Sequence, residues 1–119
     1  MPKISIITPT YNSEKTLDNT INVLLNQTFS DFEYIVIDGL SKDGTIDKLQ
    51  SYIPRFEEKG VKVTIVSERD NGVYDAMNKG IALAQGELVG ITNSDDWYEL
   101  NALEVMWNKY TDGAVDKAN

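Results

Sequence analysis

Residues 32–38, FEYIVID, decide the fold of this chain. The run at residues 34–37 has no polar face, so we expect a strand that is covered on both sides. Such strands are typical of parallel sheets whose crossover helices pack on the two faces. The stretch ends on an acid, Asp38. The sequence therefore predicts a buried parallel strand that carries a carboxylate to one edge of the sheet.

Segments on both sides of this strand repeat an alternation of strand and helix. β-Branched and other apolar runs predict three more strands, at residues 3–8, 61–67 and 88–92. Apolar residues at helical spacing predict helices from residue 14 to about 27, from residue 45 to 54, from residue 73 to 86, and after residue 97. The alternation is typical of a three-layer α/β fold with a mainly parallel sheet and right-handed crossovers.

Two of these helices carry signals for how they end and which side they bury. Pro54 is expected to end the second helix, because a proline ring is incompatible with the preceding helical turn. Gly86 is expected to end the third helix in the left-handed conformation. The apolar residues of the third helix fall on one face, which we expect to pack on the sheet: Val73, Met77, Ile81 and Ala84.

The composition excludes several kinds of chemistry. The chain has 119 residues, enough for one domain, and a formal net charge of -8. Nucleic acid is therefore not expected as a partner, since its binding depends on lysine and arginine side chains. The absence of cysteine and histidine removes thiolate nucleophiles, zinc–cysteine sites and the commonest general base. The lack of cysteine and of an apolar leader favours a cytoplasmic location.

Ligands of parallel α/β sheets bind beyond the carboxyl ends of the strands. In this chain that rule selects four segments, residues 8–12, 38–43, 67–70 and 93–97. These segments bring polar and acidic groups to one edge of the sheet. The pattern predicts a ligand-binding crevice at that edge.

Two adjacent acids, Asp95 and Asp96, follow the fourth predicted strand. Their repulsion and desolvation must be offset by a cation or a proton, unless the loop is fully hydrated. A hydrated turn that caps the following helix is one interpretation. The other is a magnesium or manganese site, because these ions take oxygen ligands and complete their shell with substrate phosphate.

Other nucleotide-binding and phosphate-binding folds fit the sequence less well. The loop after the first strand, residues 9–15, has no glycine, so a dinucleotide-binding domain is not expected, and there is no P-loop motif. A phosphoacceptor receiver domain has paired acids after its first strand and a single aspartate after its third. Here the acid pair follows the fourth strand, which makes a receiver-like domain the weaker alternative.

Three stretches together resemble the family 2 glycosyltransferases, which are inverting enzymes with the GT-A fold. They are ISIITPTYNSEKTL (residues 4–17), QTFSDFEYIVIDGLSKDGT (27–45) and DNGVYDAMNKGIALAQGELVGITNSDDWY (70–98). The chain is most similar to bacterial members that build cell-surface polysaccharides. The resemblance implies a Rossmann-like, three-layer GT-A fold that is incomplete here. Residues 1–119 would form a single nucleotide-sugar-binding domain, truncated at its C-terminus.

The resemblance also implies roles for residues on the first two loops. Pro9, Thr10 and Tyr11 would border the nucleotide base, with Tyr11 packing on it; a tyrosine that only covers the sheet edge is the alternative. Asp38 would accept hydrogen bonds from the base or the ribose. The family usually reads DDGS here and this sequence reads DGLS, so Gly39 stands where a second acid is common.

Further implied roles fall on the third helix. Asn78 would hydrogen-bond near the acidic loop, and Gly80 would permit close packing at a cost of ~1 kcal/mol in helix propensity. Asp75 and Lys79 are one turn apart and are interpreted either as a solvent-exposed ion pair or as nucleotide contacts. In the second case Lys79 or Arg69 would meet the diphosphate.

The implied reaction transfers a sugar from a nucleotide-diphosphate sugar to the hydroxyl of a saccharide or lipid-linked acceptor, with inversion. Asp95 and Asp96 would hold a divalent cation, Mn²⁺ or Mg²⁺, that neutralises the leaving diphosphate, and Asp95 would also contact the nucleotide. The catalytic base would lie outside these residues, so we expect nucleotide binding with little or no sugar transfer. A noncatalytic nucleotide-binding module is the alternative function.

Two expectations concern the chain as a whole. The last strands of an incomplete sheet would lack neighbours, and an exposed edge is expected to promote homo-oligomers. The implied location is the cytoplasm, with peripheral association at the inner face of the plasma membrane.

Overall fold

The structure is a computed structural model that describes residues 2–69, 71–93 and 99–112. Strands and helices alternate along the chain, which confirms the predicted α/β pattern with boundaries that differ by a few residues. The elements are β1 (Ile4–Thr10), α1 (Leu17–Leu25), β2 (Phe32–Asp38), α2 (Thr45–Glu58), β3 (Lys62–Ser67), α3 (Val73–Leu83), β4 (Leu88–Ile91) and α4 (Ala102–Thr111).

The four strands form one parallel sheet in the order β3-β2-β1-β4. β2 lies between β1 and β3, and every one of its residues is buried. The interpretation of residues 32–38 as a strand covered on both sides is therefore confirmed. The strand order differs from the 2-1-3-4-5 order of flavodoxin-like domains, which receiver domains share, so a receiver-like fold does not fit this chain.

Helices cover both faces of the sheet, as three-layer packing requires. On one face a core cluster joins Ile6 and Tyr34 of the sheet to side chains of α1, α2 and α4, among them Ile21, Phe56 and Leu103. On the opposite face α3 covers a smaller cluster, which contains Ile7, Ile35, Ile37 and Ala76. Within the described ranges, no helix combines the length and the apolar character needed to cross a bilayer.

The expectation that Pro54 ends α2 is wrong. The helix continues to Glu58 with Pro54 inside it. A proline removes one helical hydrogen bond at a cost of about 3 kcal/mol, and tertiary packing of the next turn offsets this cost. Phe56 is almost fully buried and its ring lies 5.5 Å from that of Tyr34. Gly60, with φ of 77°, then ends the helix in the left-handed conformation.

The buried face of α3 also differs from the prediction. Its two fully packed residues are Ala76 and Gly80, whereas Ile81 is 49% exposed. A Cβ atom on Gly80 would lie 2.5 Å from Cγ2 of Ile7, so the helix sits too close to β1 for a larger side chain. The close packing predicted for Gly80 is therefore confirmed. The larger apolar residues of α3 predict the wrong buried face, because the helix contacts the sheet through its small residues.

Gly86 has a different role from the one expected. Positive φ values among the described glycines belong to Gly60 and Gly72, and α3 ends at Leu83, followed by Ala84 in an extended conformation. A Cβ on Gly86 would lie 2.6 Å from the backbone nitrogen of Ser5. Its own N–H donates to Ser5 Oγ at 2.7 Å. Gly86 is thus required by close approach to β1 at the start of β4, not by helix termination.

We predict that Gly80→Ala lowers the free energy of unfolding by about 1–3 kcal/mol. The overpacking against Ile7 outweighs the ~1 kcal/mol gained in helix propensity. Equilibrium urea denaturation measures the change. In an Ile7→Ala background the opposing side chain is shorter, so the same substitution should cost less or become stabilising. An equal cost in both backgrounds would contradict the close-packing account.

Candidate functional site

Three neighbouring strands end on hydroxyl or carboxyl residues that meet at one edge of the sheet. Thr10 of β1, Asp38 of β2 and Ser67 of β3 are paired in register. The Asp38 side chain is fully buried, and its two oxygens accept four hydrogen bonds of 2.5–2.9 Å. The donors are the hydroxyls of Thr10, Ser41 and Ser67 and the N–H of Ser41. One carboxylate therefore ties the ends of β1 and β3 to the loop after β2.

The hydrogen bonds decide the charge state of this carboxylate. Burial alone would raise the pKa of the Asp38 carboxyl, but the bonds donated by Ser41, Thr10 and Ser67 outweigh burial and hold the pKa below its ordinary value. Asp38 is therefore ionised at neutral pH although it is fully buried. Its negative charge is compensated by hydroxyl and amide dipoles of the described residues.

Sequence reasoning singles out Asp38 but not its partners Ser41 and Ser67. The sequence does show that Ser67 ends a strand and that Ser41 lies three residues after Asp38. Interpreting these positions requires the strand register, because Ser67 becomes a neighbour of Asp38 only when β2 and β3 pair residue by residue. The sequence alone does not give this register.

A second set of contacts joins the loop after β1 to the loop after β2. Gly39 donates its N–H to Thr10 O at 3.0 Å, and Asn12 donates its N–H to Ser41 Oγ at 2.8 Å. The Lys42 N–H returns to Asn12 Oδ1 at 2.8 Å. Asn12 is left-handed, with φ of 49°, a conformation that asparagine tolerates. The two loops therefore form one connected rim.

An open cleft of about 580 Å³ lies beside this rim. Pro9 and Thr10 at the end of β1, with Tyr11 just after it, form one side, and the first turn of α3, including Val73, forms another. Asn93, which follows β4, completes the lining. Tyr11 is 58% exposed, so its ring is available to a ligand. The volume falls within the range of roughly 300–1,000 Å³ that is typical of small-molecule sites.

Asp75 and Lys79 form an ion pair, which is one of the two roles that the sequence suggests for them. The Lys79 ammonium lies 3.5 Å from Asp75 and 3.1 Å from Glu68, and it donates to Arg69 O at 2.9 Å. The Asp75 carboxylate also accepts the N–H of Asn71 at 3.0 Å, which lowers its pKa. Lys79 thus connects α3 to the residues after β3.

The remaining predicted site residues are only partly described. Asn78 is exposed on α3. Asp95 and Asp96 lie outside the described residues, so the predicted metal site stays a prediction. Within the described ranges there is no group of three or more acidic, histidine or cysteine side chains that could hold a metal. Thr92 donates its N–H to Ile7 O at 2.9 Å, which brings the chain to the cleft just before the acid pair.

We predict that Asp38→Asn lowers the free energy of unfolding by about 3 kcal/mol at about pH 7, because buried charge-assisted hydrogen bonds are lost. The folded pKa lies below the unfolded value, so this contribution is present above about pH 4 and is lost as the pH falls through the folded pKa. Urea denaturation of both proteins at several pH values measures the difference. Asp31→Asn changes an exposed aspartate before β2 and is the control. A difference for Asp38→Asn that is independent of pH would contradict the charge assignment.

Curated relatives of this chain are bacterial glycosyltransferases. The chain is 36% identical over 104 residues to the putative teichuronic acid biosynthesis glycosyltransferase TuaG of Bacillus subtilis, which is 87% of this chain and 40% of that protein. It is 38% identical over 103 residues to a PGL/p-HBAD biosynthesis glycosyltransferase of Mycobacterium tuberculosis, 86% of this chain and 39% of that protein. The chain thus spans about 40% of the length of these relatives.

Solved structures with the same fold contain bound nucleotide sugars. TarS 1-349 of S. aureus, in complex with UDP-GlcNAc, matches with a TM-score of 0.84 and 30% identity over 96% of this chain and 32% of that chain. The mannosyltransferase PcManGT of Pyrobaculum calidifontis, in complex with GDP-Man and Mn²⁺, matches with a TM-score of 0.80 and 25% identity over 97% of this chain and 33% of that chain. Both are GT-A glycosyltransferases.

A sequence model of the family described as Glycosyl transferase family 2 matches residues 5–117. The match covers all four strands and the rim formed by the loops after β1 and β2. Together with the parallel sheet and the cleft at its carboxyl edge, it shows that this chain belongs to glycosyl transferase family 2 and has the GT-A fold.

Proposed function

We propose that this chain is the donor-binding part of a metal-dependent, inverting glycosyltransferase that acts in cell-surface polysaccharide synthesis. The observation that carries the proposal is the cleft of about 580 Å³ at the carboxyl ends of β1 and β4, where Tyr11 and Asn93 face a common space. Parallel α/β sheets bind ligands at this edge. The donor is a nucleotide-diphosphate sugar, and the acceptor is a saccharide or a lipid-linked hydroxyl.

The related proteins support the donor class. TarS 1-349 is 30% identical to this chain and has been solved with UDP-GlcNAc and with UDP. PcManGT has been solved with GDP-Man and Mn²⁺. These two neighbours bind different bases, so the likeness supports a nucleotide-diphosphate sugar without selecting the base. The relative TuaG is named for teichuronic acid biosynthesis, which supports a role in building surface polysaccharides.

In this proposal the rim of the cleft holds the nucleotide. Tyr11 provides a ring face on which the base packs, and Pro9 and Thr10 border it. Asp38 acts mainly by holding the two loops in position, because its carboxylate is fully buried and already accepts four hydrogen bonds. A direct hydrogen bond from the base or ribose to Asp38 would require Ser41 or Ser67 to turn away.

The third helix contributes from the other side of the cleft. Asn78 is exposed on α3 but is not among the residues that line the cleft, so a contact with the nucleotide would require the ligand to extend along the helix. Asp75 and Lys79 are engaged with each other and with Glu68. A diphosphate contact by Lys79 would therefore replace these two carboxylates, and Arg69, which is exposed, would approach the diphosphate without that exchange.

The proposed cofactor is Mn²⁺ or Mg²⁺, held by Asp95 and Asp96. Two carboxylates supply hard oxygen donors that suit these ions, and Asn93 leads into them from the lining of the cleft. When bound, the ion would neutralise charge on the leaving diphosphate. Asp95 would also contact the nucleotide. The sequence of residues 1–119 offers no histidine as a base, and we assign no catalytic base to this chain.

The second candidate function is a noncatalytic nucleotide-binding module. Such a module would use the same cleft. It would bind the nucleotide without a cation shared between Asp95, Asp96 and the diphosphate. The two functions are therefore distinguished by whether metal and diphosphate bind cooperatively.

We predict that a nucleoside diphosphate raises the thermal midpoint of this chain more with Mn²⁺ than without it, because the ion links the diphosphate to the acid pair. A nucleoside without phosphate should show no such dependence on metal. The measurement is a thermal shift titration with UDP, GDP, ADP and CDP.

The Asp95→Asn/Asp96→Asn double variant should lose the metal dependence while keeping the unliganded midpoint. The matched control is Asp31→Asn/Asp47→Asn, which removes two exposed acids elsewhere on the chain. Metal-dependent stabilisation that survives in the acid-pair variant would contradict the assignment of the metal to Asp95 and Asp96.

We also propose that β4 allows this chain to form homo-oligomers. β4 lies at the edge of the described sheet, its four residues carry no charge, and Val89 is 40% exposed. Uncharged, apolar edge strands pair readily with other chains. A second copy that aligns its own β4 antiparallel to this one would bury the same residues on both sides of a two-fold axis.

Val89→Lys should reduce this association, because a lysine on an edge strand opposes pairing. Sedimentation velocity at increasing concentration is the measurement. The control is Val105→Lys, which changes a similarly exposed valine on α4. A wild-type chain that stays monomeric at every concentration would contradict the proposal.

A further inference from the structure

Leu40 occupies a backbone conformation that leucine rarely adopts. Its φ is 61°, and among the described residues Asn12 is the other non-glycine residue with positive φ. The left-handed region brings Cβ close to the following carbonyl oxygen, so a leucine there costs conformational free energy that glycine or asparagine largely avoids. This chain has leucine at this position, with glycine one residue earlier.

The neighbours of Leu40 hold this conformation in place. Gly39 donates its N–H to Thr10 O at 3.0 Å, and Ser41 donates its N–H to Asp38 Oδ2 at 2.8 Å. The residues on both sides of Leu40 are therefore fixed by the buried carboxylate and by β1. Backbone strain that surrounding bonds enforce tends to occur at functional sites. The strain here turns an apolar side chain outward, and Leu40 is 50% exposed.

Hydrogen bonds join the loop that carries Leu40 to the loop that carries Tyr11. Tyr11 lies between Thr10 and Asn12, which bond to Gly39 and Ser41, the two residues that flank Leu40. Leu40 and Tyr11 thus occupy corresponding positions on two loops that hydrogen bonds join. The rim, which is otherwise built from hydroxyls, amides and a carboxylate, therefore carries two exposed apolar side chains, Tyr11 at 58% and Leu40 at 50%.

We propose that Leu40 is a binding and specificity residue that, with Tyr11, forms an apolar rest for the nucleobase of the donor. The inference rests on the proposed function and adds a contact surface to it. A heteroaromatic base has apolar faces and polar edges, so it fits a site whose centre is apolar and whose border is polar. Removing the leucine reduces the area buried with the base, while the phosphates contact other residues.

One variant should weaken nucleotide binding and at the same time relieve the conformational strain. Leu40→Asn accepts the left-handed conformation, so its thermal midpoint should equal or exceed that of the wild type. Its dissociation constant for the best-binding nucleoside diphosphate among UDP, GDP, ADP and CDP, in the presence of Mn²⁺, should rise about fivefold. Its affinity for inorganic pyrophosphate with Mn²⁺, which has no base, should change by less than about twofold.

Isothermal titration calorimetry measures these dissociation constants, and two further variants serve as controls. Leu40→Met keeps an apolar side chain and should retain the wild-type affinity for the nucleoside diphosphate within about twofold. Leu83→Asn changes a leucine of similar exposure, 43%, at the last residue of α3 and should leave both affinities unchanged.

Each outcome separates this inference from the proposed function. A wild-type chain that binds no nucleoside diphosphate overturns both. Wild-type binding that is equally strong in Leu40→Asn overturns the role of Leu40 and leaves the proposed function standing. An equal loss for nucleoside diphosphate and pyrophosphate also overturns it, because the leucine would then act on the loops and not on the base.

Discussion

The described site depends on one buried charge at the end of β2. An ionised carboxylate inside a protein must be compensated locally, and Asp38 obtains this compensation from Thr10, Ser41 and Ser67, which belong to three different segments. The compensation fixes the relative positions of those segments. The rim beside the cleft, including the exposed side chain of Tyr11, is a consequence of satisfying that charge.

The opposite side of the cleft depends on a different constraint, the distance between α3 and β1. Ala76 and Gly80 face the sheet, and the 2.5 Å approach of a hypothetical Gly80 Cβ to Ile7 shows how little room is left. This closeness brings the first turn of α3 to the rim, where Val73 lines the cleft. Hydrogen bonds to a buried charge therefore fix the position of one side of the cleft, and packing of small residues fixes the position of the other. Nucleotide binding, as proposed here, requires both.

The sequence predicts the layers of this fold better than it predicts individual contacts. The run at residues 32–38 predicts its own burial because four consecutive apolar residues leave the strand no polar face. The edge rule also selects the segments after β1 and β4 that line the cleft. Pro54 and the face of α3 were predicted wrongly, because packing of Phe56 and of Gly80 overrides local preference. Leu40 is similar, since its backbone conformation is imposed by hydrogen bonds that its two neighbours donate to Thr10 and Asp38, which sequence patterns do not reveal. The acid pair, which carries the metal prediction, lies outside the described residues.

The decisive measurement is a crystal structure of this chain with Mn²⁺ and its tightest-binding nucleoside diphosphate. We expect a base packed on Tyr11 at the carboxyl ends of β1 and β2, a diphosphate that enters the cleft, and a cation in contact with Asp95 or Asp96. We also expect the bonds between Asp38 and its three partners to persist. A nucleotide seated away from this edge, with Tyr11 still exposed to solvent, would contradict the account.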